Sequence, residues 1–411
     1  MQIDLERMQR RLAALTTPEL GGTPAGGMSR LALSDEDKGA RDLLIAWMHE
    51  LGMETRFDDF GNIYGRRAGS EPDLEPVLVG SHLDTVPGGG RFDGILGVVA
   101  ALEVVSALND AGVTTRRPIE VVDWTNEEGA RFTPAMLASG GAIGVFERDW
   151  VYARADRQGR TFGAELERIG YRGEESARLG KVAASFELHI EQGPVLEAGG
   201  ESVGIVEGVV GIRWCKVTVR GQSAHAGPTP MAMRRDALVA ASRMVVALRD
   251  NARAQGGHNA TVGSLIPEPG VVNVIPPVVT FSVDLRSQDD ALLNRLTSRD
   301  LPALFAAIAA EERVEYSLDV EWAVPPTPFD AAIIERAEAV CSEHDYSSRR
   351  LWAGAGHDSQ YIARVARAFM LFTPTTGGLS HCETEDAPWP EIGKTANVLL
   401  ALVAEEADLV P

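Results

Sequence analysis

The sequence predicts an α/β domain with a largely parallel sheet, interrupted by a smaller inserted α+β domain. Three observations predict it. Strand and helix patterns alternate through the first half, as in chained βαβ units. The middle carries period-two strands with one wet face, in the order β-α-β-β-α-β of a ferredoxin-like sandwich. A proline-rich stretch, "AVPPTPFD" (323–330), then returns the chain to helix and strand patterns. At 411 residues the chain exceeds what one compact core usually holds. The expected division is 1–210 with 324–411 for the outer domain and 211–323 for the insert.

Taken in order, "PVLVGS" (Pro76 to Ser81) is a short apolar run that reads as a buried strand. Asp93 to Ala111 reads as a helix. Pro118 to Trp124, "PIEVVDW", is a second buried strand and ends in the polar cluster "TNEEGARF". Ser185 to Leu196 is strand-like until Gly193 and Pro194 stop it. In such sheets ligands bind outside the carboxyl ends of the strands. His82, Glu127 and Glu128 all follow strand-like runs. In the insert, Cys215, Val217 and Val219 alternate with Lys216, Thr218 and Arg220. A helix is expected from Arg234 to Ala254, a strand at Asn259 to Ile266 and another at Val279 to Arg286. Ala291 to Glu312 reads as helix and Val314 to Trp322 as the last strand.

Composition narrows the function. Hydrophobic residues are 45% and charged residues 24%, which is ordinary globular usage. The net charge of −20 argues against nucleic acid and anionic membrane surfaces as partners. Cys215, Cys341 and Cys382 lie far apart with no CxxC pair, which speaks against thiolate zinc and disulfide frameworks and fits a cytoplasmic home. No window reaches the ~18 apolar residues of a membrane span.

The polar signal is a set of imidazoles and carboxylates. The segment "GSHLDTVPGGGRFDG" places His82, Asp84 and Asp93 in a glycine-rich loop between a strand and a helix. His189 and His381 also lie at strand ends or in loops beside acidic residues. A single histidine of this kind is commonly structural. Together with Asp93 and the Glu127–Glu128 pair the set suits zinc, manganese, cobalt or nickel. Two metals ~3.5–4 Å apart polarise a carbonyl and supply hydroxide at neutral pH. Glu127 and Glu128 are adjacent, so an extended backbone would point them oppositely, and a distorted turn is expected there.

The ordered set "GSHLDTVPGGGRFDG", "TNEEGARF", "LHIEQGPVLE", "GQSAHAGPTPM", "RRDAL", "VNVIP", "GAGHDS" and "GGLSHCETED" resembles the N-carbamoyl-L-amino-acid amidohydrolases. These group with allantoate amidohydrolases and β-ureidopropionases in the aminoacylase-like di-metal peptidase clan. The likeness runs from about residue 30 to the end. It implies a di-metal aminopeptidase-like catalytic domain with an inserted ferredoxin-like lid and dimerisation domain. By resemblance, His82 and His189 hold one metal, Glu128 and His381 the other, and Asp93 bridges them. Two divalent ions per subunit are implied, zinc foremost. Asp84 is expected to bond the far ring nitrogen of His82. Glu127 takes the role of general base. His225 is expected to serve the active site of a neighbouring subunit as an oxyanion donor, which implies a homodimer.

Asn273 and Arg286 match positions that grip a substrate carboxylate, and Gln192 one at the ureido end. Gly356 supplies backbone contact, and His357 shapes the pocket. Cys382 is left out as a ligand, because adjacent residues seldom both reach one metal. Ser359 departs from the small apolar residue common after "GHD" and bears on substrate choice. The implied reaction is metal-dependent hydrolysis of the ureido C–N bond of an N-carbamoyl-L-amino acid, a small ureido carboxylate, to the L-amino acid, carbon dioxide and ammonia. Allantoate amidohydrolase and β-ureidopropionase activities are the alternatives, and a non-enzymatic small-molecule binder on the same fold is the rival class.

Overall fold

The computed structural model describes residues 1–410, which form two compact units. The first is Met1–Gly208 with the chain from Pro328 onward; the second is Val209–Thr327. The second unit therefore begins and ends slightly outside the expected 211–323.

In the first unit the sheet order is Glu54–Phe57, Ile63–Arg67, Ile119–Trp124, Val77–His82, Ala184–Ile190, Arg367–Thr373 and Val203–Val209. The strands Ile119–Trp124, Val77–His82, Ala184–Ile190 and Arg367–Thr373 run parallel, with antiparallel neighbours on either side. The first three of these are buried at every residue. That is why Val77–His82 reads as a largely apolar run, whereas Ala184–Ile190 alternates, with the buried polar residues Ser185, Glu187 and His189 at period two. The helix Ile95–Asp110 is buried along nearly its whole length and packs on the Val77–His82 and Ala184–Ile190 strands. The helix Trp389–Glu406 packs beside it on the same strands. Arg7, on the first helix Leu5–Leu15, is anchored to the buried Glu103 at 2.7 Å.

The second unit has its own core. An antiparallel sheet in the order Leu265–Glu268, Val278–Ser287, Gly211–Arg220, Glu315–Val324 is packed by the helices Ala237–Gln255 and Leu301–Glu312. Val217, Val219, Phe281, Val283 and Leu285 point inward against Met244, Leu248 and Phe305. Burying each such side chain stabilises by roughly 1.5–3 kcal/mol.

The elements differ from expectation where a local turn serves another purpose. The helix expected from Asp93 starts at Ile95, because Gly94 has φ 68° and turns Asp93 away from the helix axis. The strand expected at Asn259 to Ile266 is two short ones, Asn259–Thr261 and Leu265–Glu268, both pairing with Val278–Ser287. The helix expected from Arg234 begins at Ala237, where the Asp236 carboxylate caps the amides of Leu238 and Val239. The helix expected over Ala291 to Glu312 passes through a wide turn at Leu296–Asp300 before Pro302 opens its second segment.

Candidate metal centre

The four parallel strands deliver their carboxyl ends side by side, and the polar residues collect there. His82 is the last residue of its strand, and His189 the penultimate residue of the next. Glu127 and Glu128 follow Trp124, and His381 lies in the loop after Thr373. This is where an open α/β sheet places a ligand.

Asp93 sits at the middle. Its Oδ1 lies 3.1 Å from His189 Nε2 and 3.7 Å from His82 Nε2. Its Oδ2 lies 3.2 Å from His381 Nε2, which is 3.5 Å from Glu128 Oε2. One carboxylate thus addresses two groups of donors, one oxygen to each. Within each group, His82–Asp93–His189 and Asp93–Glu128–His381, the donor atoms lie within 4.8 Å of one another. Gly94 is needed here: a Cβ would fall 2.3 Å from the His82 ring.

Asn126 and Gly129 make the turn that the Glu127–Glu128 pair requires, with φ 59° and 63°. Glu127 Oε2 then lies 3.7 Å from His82 Nε2, and Glu128 faces His381. The Asp84 carboxylate holds this turn, accepting from the amides of Glu127 at 3.1 Å and Glu128 at 3.3 Å. This corrects the expected role of Asp84. The far nitrogen of His82, Nδ1, bonds the Asp84 backbone carbonyl at 2.9 Å, while the nearer carboxylate oxygen stays 4.0 Å away. His189 Nδ1 likewise meets a carbonyl, that of Ile190, at 2.9 Å. Both rings therefore carry the proton on Nδ1 and turn Nε2 toward Asp93.

Charge explains the chemistry on offer. Burial drives the His82 imidazole down to about 4 and pushes the Asp84 carboxyl up to about 8. Burial raises Glu127 well above the carboxylate range, helped by Asp358, Glu128, Asp84 and Asp93. Burial and Asp93 do the same to Glu128. Burial alone would raise Asp93, but His189, His381 and His82 hold it well below its ordinary value. Burial opposes charge on His189, yet Asp93 lifts it to about 9. The hydrogen bond to Asp93 lifts His381 to about 9. The ion pairs of Asp93, Glu127 and Glu128 run only to histidines among the described residues. Glu128 Oε1 is buried without a hydrogen-bond partner. A surplus of buried carboxylate, an unpartnered ligand oxygen and imidazoles aimed inward fit divalent cations.

Other predicted residues take up varied places. Gln192 has φ 57° and donates from Nε2 to Asp93 Oδ2 at 2.8 Å, leaving its buried Oε1 unpartnered. The His357 ring stands edge-on to His189 at 4.6 Å between centroids, with a buried, unpartnered Nε2. Gly356 abuts Met136, whose Cε would lie 2.9 Å from an added Cβ. In the second unit, His225 and Asn273 are neighbours: Ala224–His225 pairs with Val274–Ile275, and Ala226 N donates to Asn273 O. His225 Nδ1 accepts from Gly227 N at 3.1 Å, so its exposed Nε2 carries the proton. Arg286 is held two-fold by Asp284, at 3.0 and 2.9 Å.

Three further residues were not singled out from the sequence. Glu187 lies beneath His189, two residues back on the same strand face, and accepts from Ser81 and Ser359, each at 2.7 Å. That bond is what Ser359 does here. Asp358 accepts from Ser139. Glu385 accepts from the Phe92 and Asp93 amides. Period two could have marked Glu187; nothing local marks the other two.

The fold and the convergence of histidines and carboxylates at one sheet end define a metal-dependent hydrolase. The chain belongs to peptidase family M20/M25/M40, whose model matches residues 78–405. It is 42% identical to an N-carbamoyl-L-amino-acid amidohydrolase of Rhizobium meliloti, over 95% of this chain and 94% of that one. It is 35% identical to an allantoate amidohydrolase of Escherichia coli (strain K12), over 94% and 95%. A hydantoinase/carbamoylase family amidase from Burkholderia multivorans has a similar crystal structure, with TM-score 0.94 and 45% identity, covering 99% of this chain and 98% of that one.

Proposed function

We propose that the protein hydrolyses the ureido C–N bond of an N-carbamoyl-L-amino acid, giving the L-amino acid, carbon dioxide and ammonia. The observation that carries this reading is Asp93, whose two oxygens divide between His82–His189 and His381–Glu128, with Glu127 alongside. The substrate class follows the relatives' names.

His82, His189, Asp93, Glu128 and His381 would hold two divalent ions, zinc or manganese, with Asp93 common to both. Bound there, the ions supply Lewis acidity and a lowered pKa for water. Glu127 takes the proton of the attacking water and delivers it to the leaving nitrogen; its Oε2 stands beside the metal-facing nitrogen of His82, at 3.7 Å. Arg286 and Asn273 take the substrate carboxylate, for which the planar guanidinium is the suited partner. Gln192 offers its unpartnered Oε1 to the ureido amide. The exposed ring of His225 accepts at Nδ1 and so donates from its own Nε2–H, and His225 of the partner subunit steadies the developing oxyanion in a homodimer.

The test is ammonia release from protein loaded with manganese or zinc. The panel is N-carbamoyl-L-methionine, its D-isomer, N-carbamoyl-β-alanine, allantoate and N-acetyl-L-methionine. Selective turnover of the L-carbamoyl compound is expected. Preference for allantoate, as the Escherichia coli relative's name suggests, would keep the chemistry and replace the substrate.

A further inference from the structure

The two donor groups around Asp93 are supported differently. His82 and His189 stand on buried strands, locked by hydrogen bonds to the carbonyls of Asp84 and Ile190. His381 stands in a loop, with its side chain 49% exposed. What ties that loop to Asp93 is Glu385. Its Oε1 accepts from the amides of Phe92 at 3.0 Å and Asp93 at 3.1 Å. Its Oε2 accepts from Ser380 Oγ at 2.8 Å, and the same hydroxyl lies 3.2 Å from Asp93 Oδ2. Glu385 itself is 3% exposed. The fit is close: a Cβ on Gly90 would fall 1.9 Å from the Glu385 carboxyl group. Next along the chain, Asp386 holds Arg91 at 2.9 Å.

We infer that Glu385 is a positioning residue that fixes the His381 loop against Asp93, and that the Asp93–Glu128–His381 metal position depends on it more than the His82–Asp93–His189 position, which shares only Asp93 with it. The inference rests on the two-metal reading above. A carboxylate is suited to the task because one oxygen can take two backbone amides while the other takes the serine. Metal affinity commonly falls 10–100-fold when such a supporting group is lost.

The test is zinc titration of chelator-stripped protein against a chromophoric competitor, with bound metal counted per chain. The parent is expected to bind two ions. Glu385→Ala is expected to bind one ion about 10–100-fold more weakly and to lose affinity for the other by a much smaller factor. Glu385→Gln keeps an oxygen for the two amides and should restore most of that loss. Ser380→Ala removes one arm only and should weaken the same single ion by a smaller factor. Unfolding of the stripped variants by circular dichroism confirms that they fold. Two ions held by Glu385→Ala as tightly as by the parent would overturn the inference and leave the metal reading standing. Equal weakening of both ions would also overturn it. A parent that binds no zinc would overturn the two-metal reading itself.

Discussion

At the scale of single residues, turnover should depend most on Glu127. Glu127→Gln keeps the shape and removes the base. It should cost about 10²–10⁴ in kcat while the protein retains its metal. Ammonia release within tenfold of the parent would exclude the role. Asp84 acts through this residue, because its carboxylate receives both glutamate amides. Asp84→Ala should lower kcat about 10²-fold by misplacing the base and leave KM little changed. A rise in KM alone would assign Asp84 to substrate binding instead. A third prediction concerns Asp58, which is buried among the Phe60 and Asn62 amides and the Tyr64 hydroxyl. Burial lifts its carboxyl from 3.8 to about 6. The folded chain therefore holds this proton more tightly than the unfolded one. Its stabilising contribution is complete below 3.8 and is lost as pH rises through about 6. The loss is on the order of 3 kcal/mol. Urea unfolding of metal-free protein across that window should show a shallower decline for Asp58→Asn than for the parent. At this scale the histidines and carboxylates of the site were legible, since each stands in a distinctive motif. What each one touches was less so. The family resemblance pairs the Asp84 carboxylate with His82, but the backbone carbonyl of the same residue reaches the ring first. Glu385 looks like any acid in "ETED" until the fold brings it against a loop nearly three hundred residues away.

At the scale of elements, the site depends on turns as much as on strands. Asn126 takes φ 59° and bonds Phe132 through both ends of its amide. Asn126→Gly accepts the backbone and loses the amide; Asn126→Val loses both. The valine variant should be less stable than the glycine one by about 1–3 kcal/mol, as read by denaturant unfolding. Equal stability would mean that the turn relaxes without strain. Strands and helices were readable wherever burial made them uniformly apolar, as in Val77–His82 and Ile95–Asp110. Their ends were less readable. Helix starts shifted by a few residues where Gly94 or Asp236 redirected the chain, because such turns depend on one dihedral or one cap rather than on a repeating pattern. One expected strand proved to be two, because its halves pair with the same neighbour in registers one residue apart, Thr261 opposite Asp284 and Leu265 opposite Phe281.

At the scale of the whole molecule, the chain leaves the first unit and returns to it at one place: Phe329 N donates to Glu207 O at 2.9 Å. Joining Gly208 to Pro328 through a short linker should therefore yield a folded first unit. It should bind zinc like the parent and show at least a 10³-fold loss of ureido hydrolysis, since His225, Asn273 and Arg286 are gone. Retained turnover would remove those three from the mechanism; failure to fold or to bind zinc would show that the first unit needs the second. The sheet order has a consequence for how the protein is made. The strand Arg367–Thr373 lies between Ala184–Ile190 and Val203–Val209, both translated far earlier. On the ribosome the growing sheet therefore ends at Ala184–Ile190 while the whole of the second unit emerges, because every strand that pairs with Val203–Val209 comes later. That edge is covered only when the last tenth of the chain appears, and that same stretch brings His381 and Glu385. A nascent chain thus holds no complete site, and a premature stop anywhere before it leaves an open sheet edge for quality control to find.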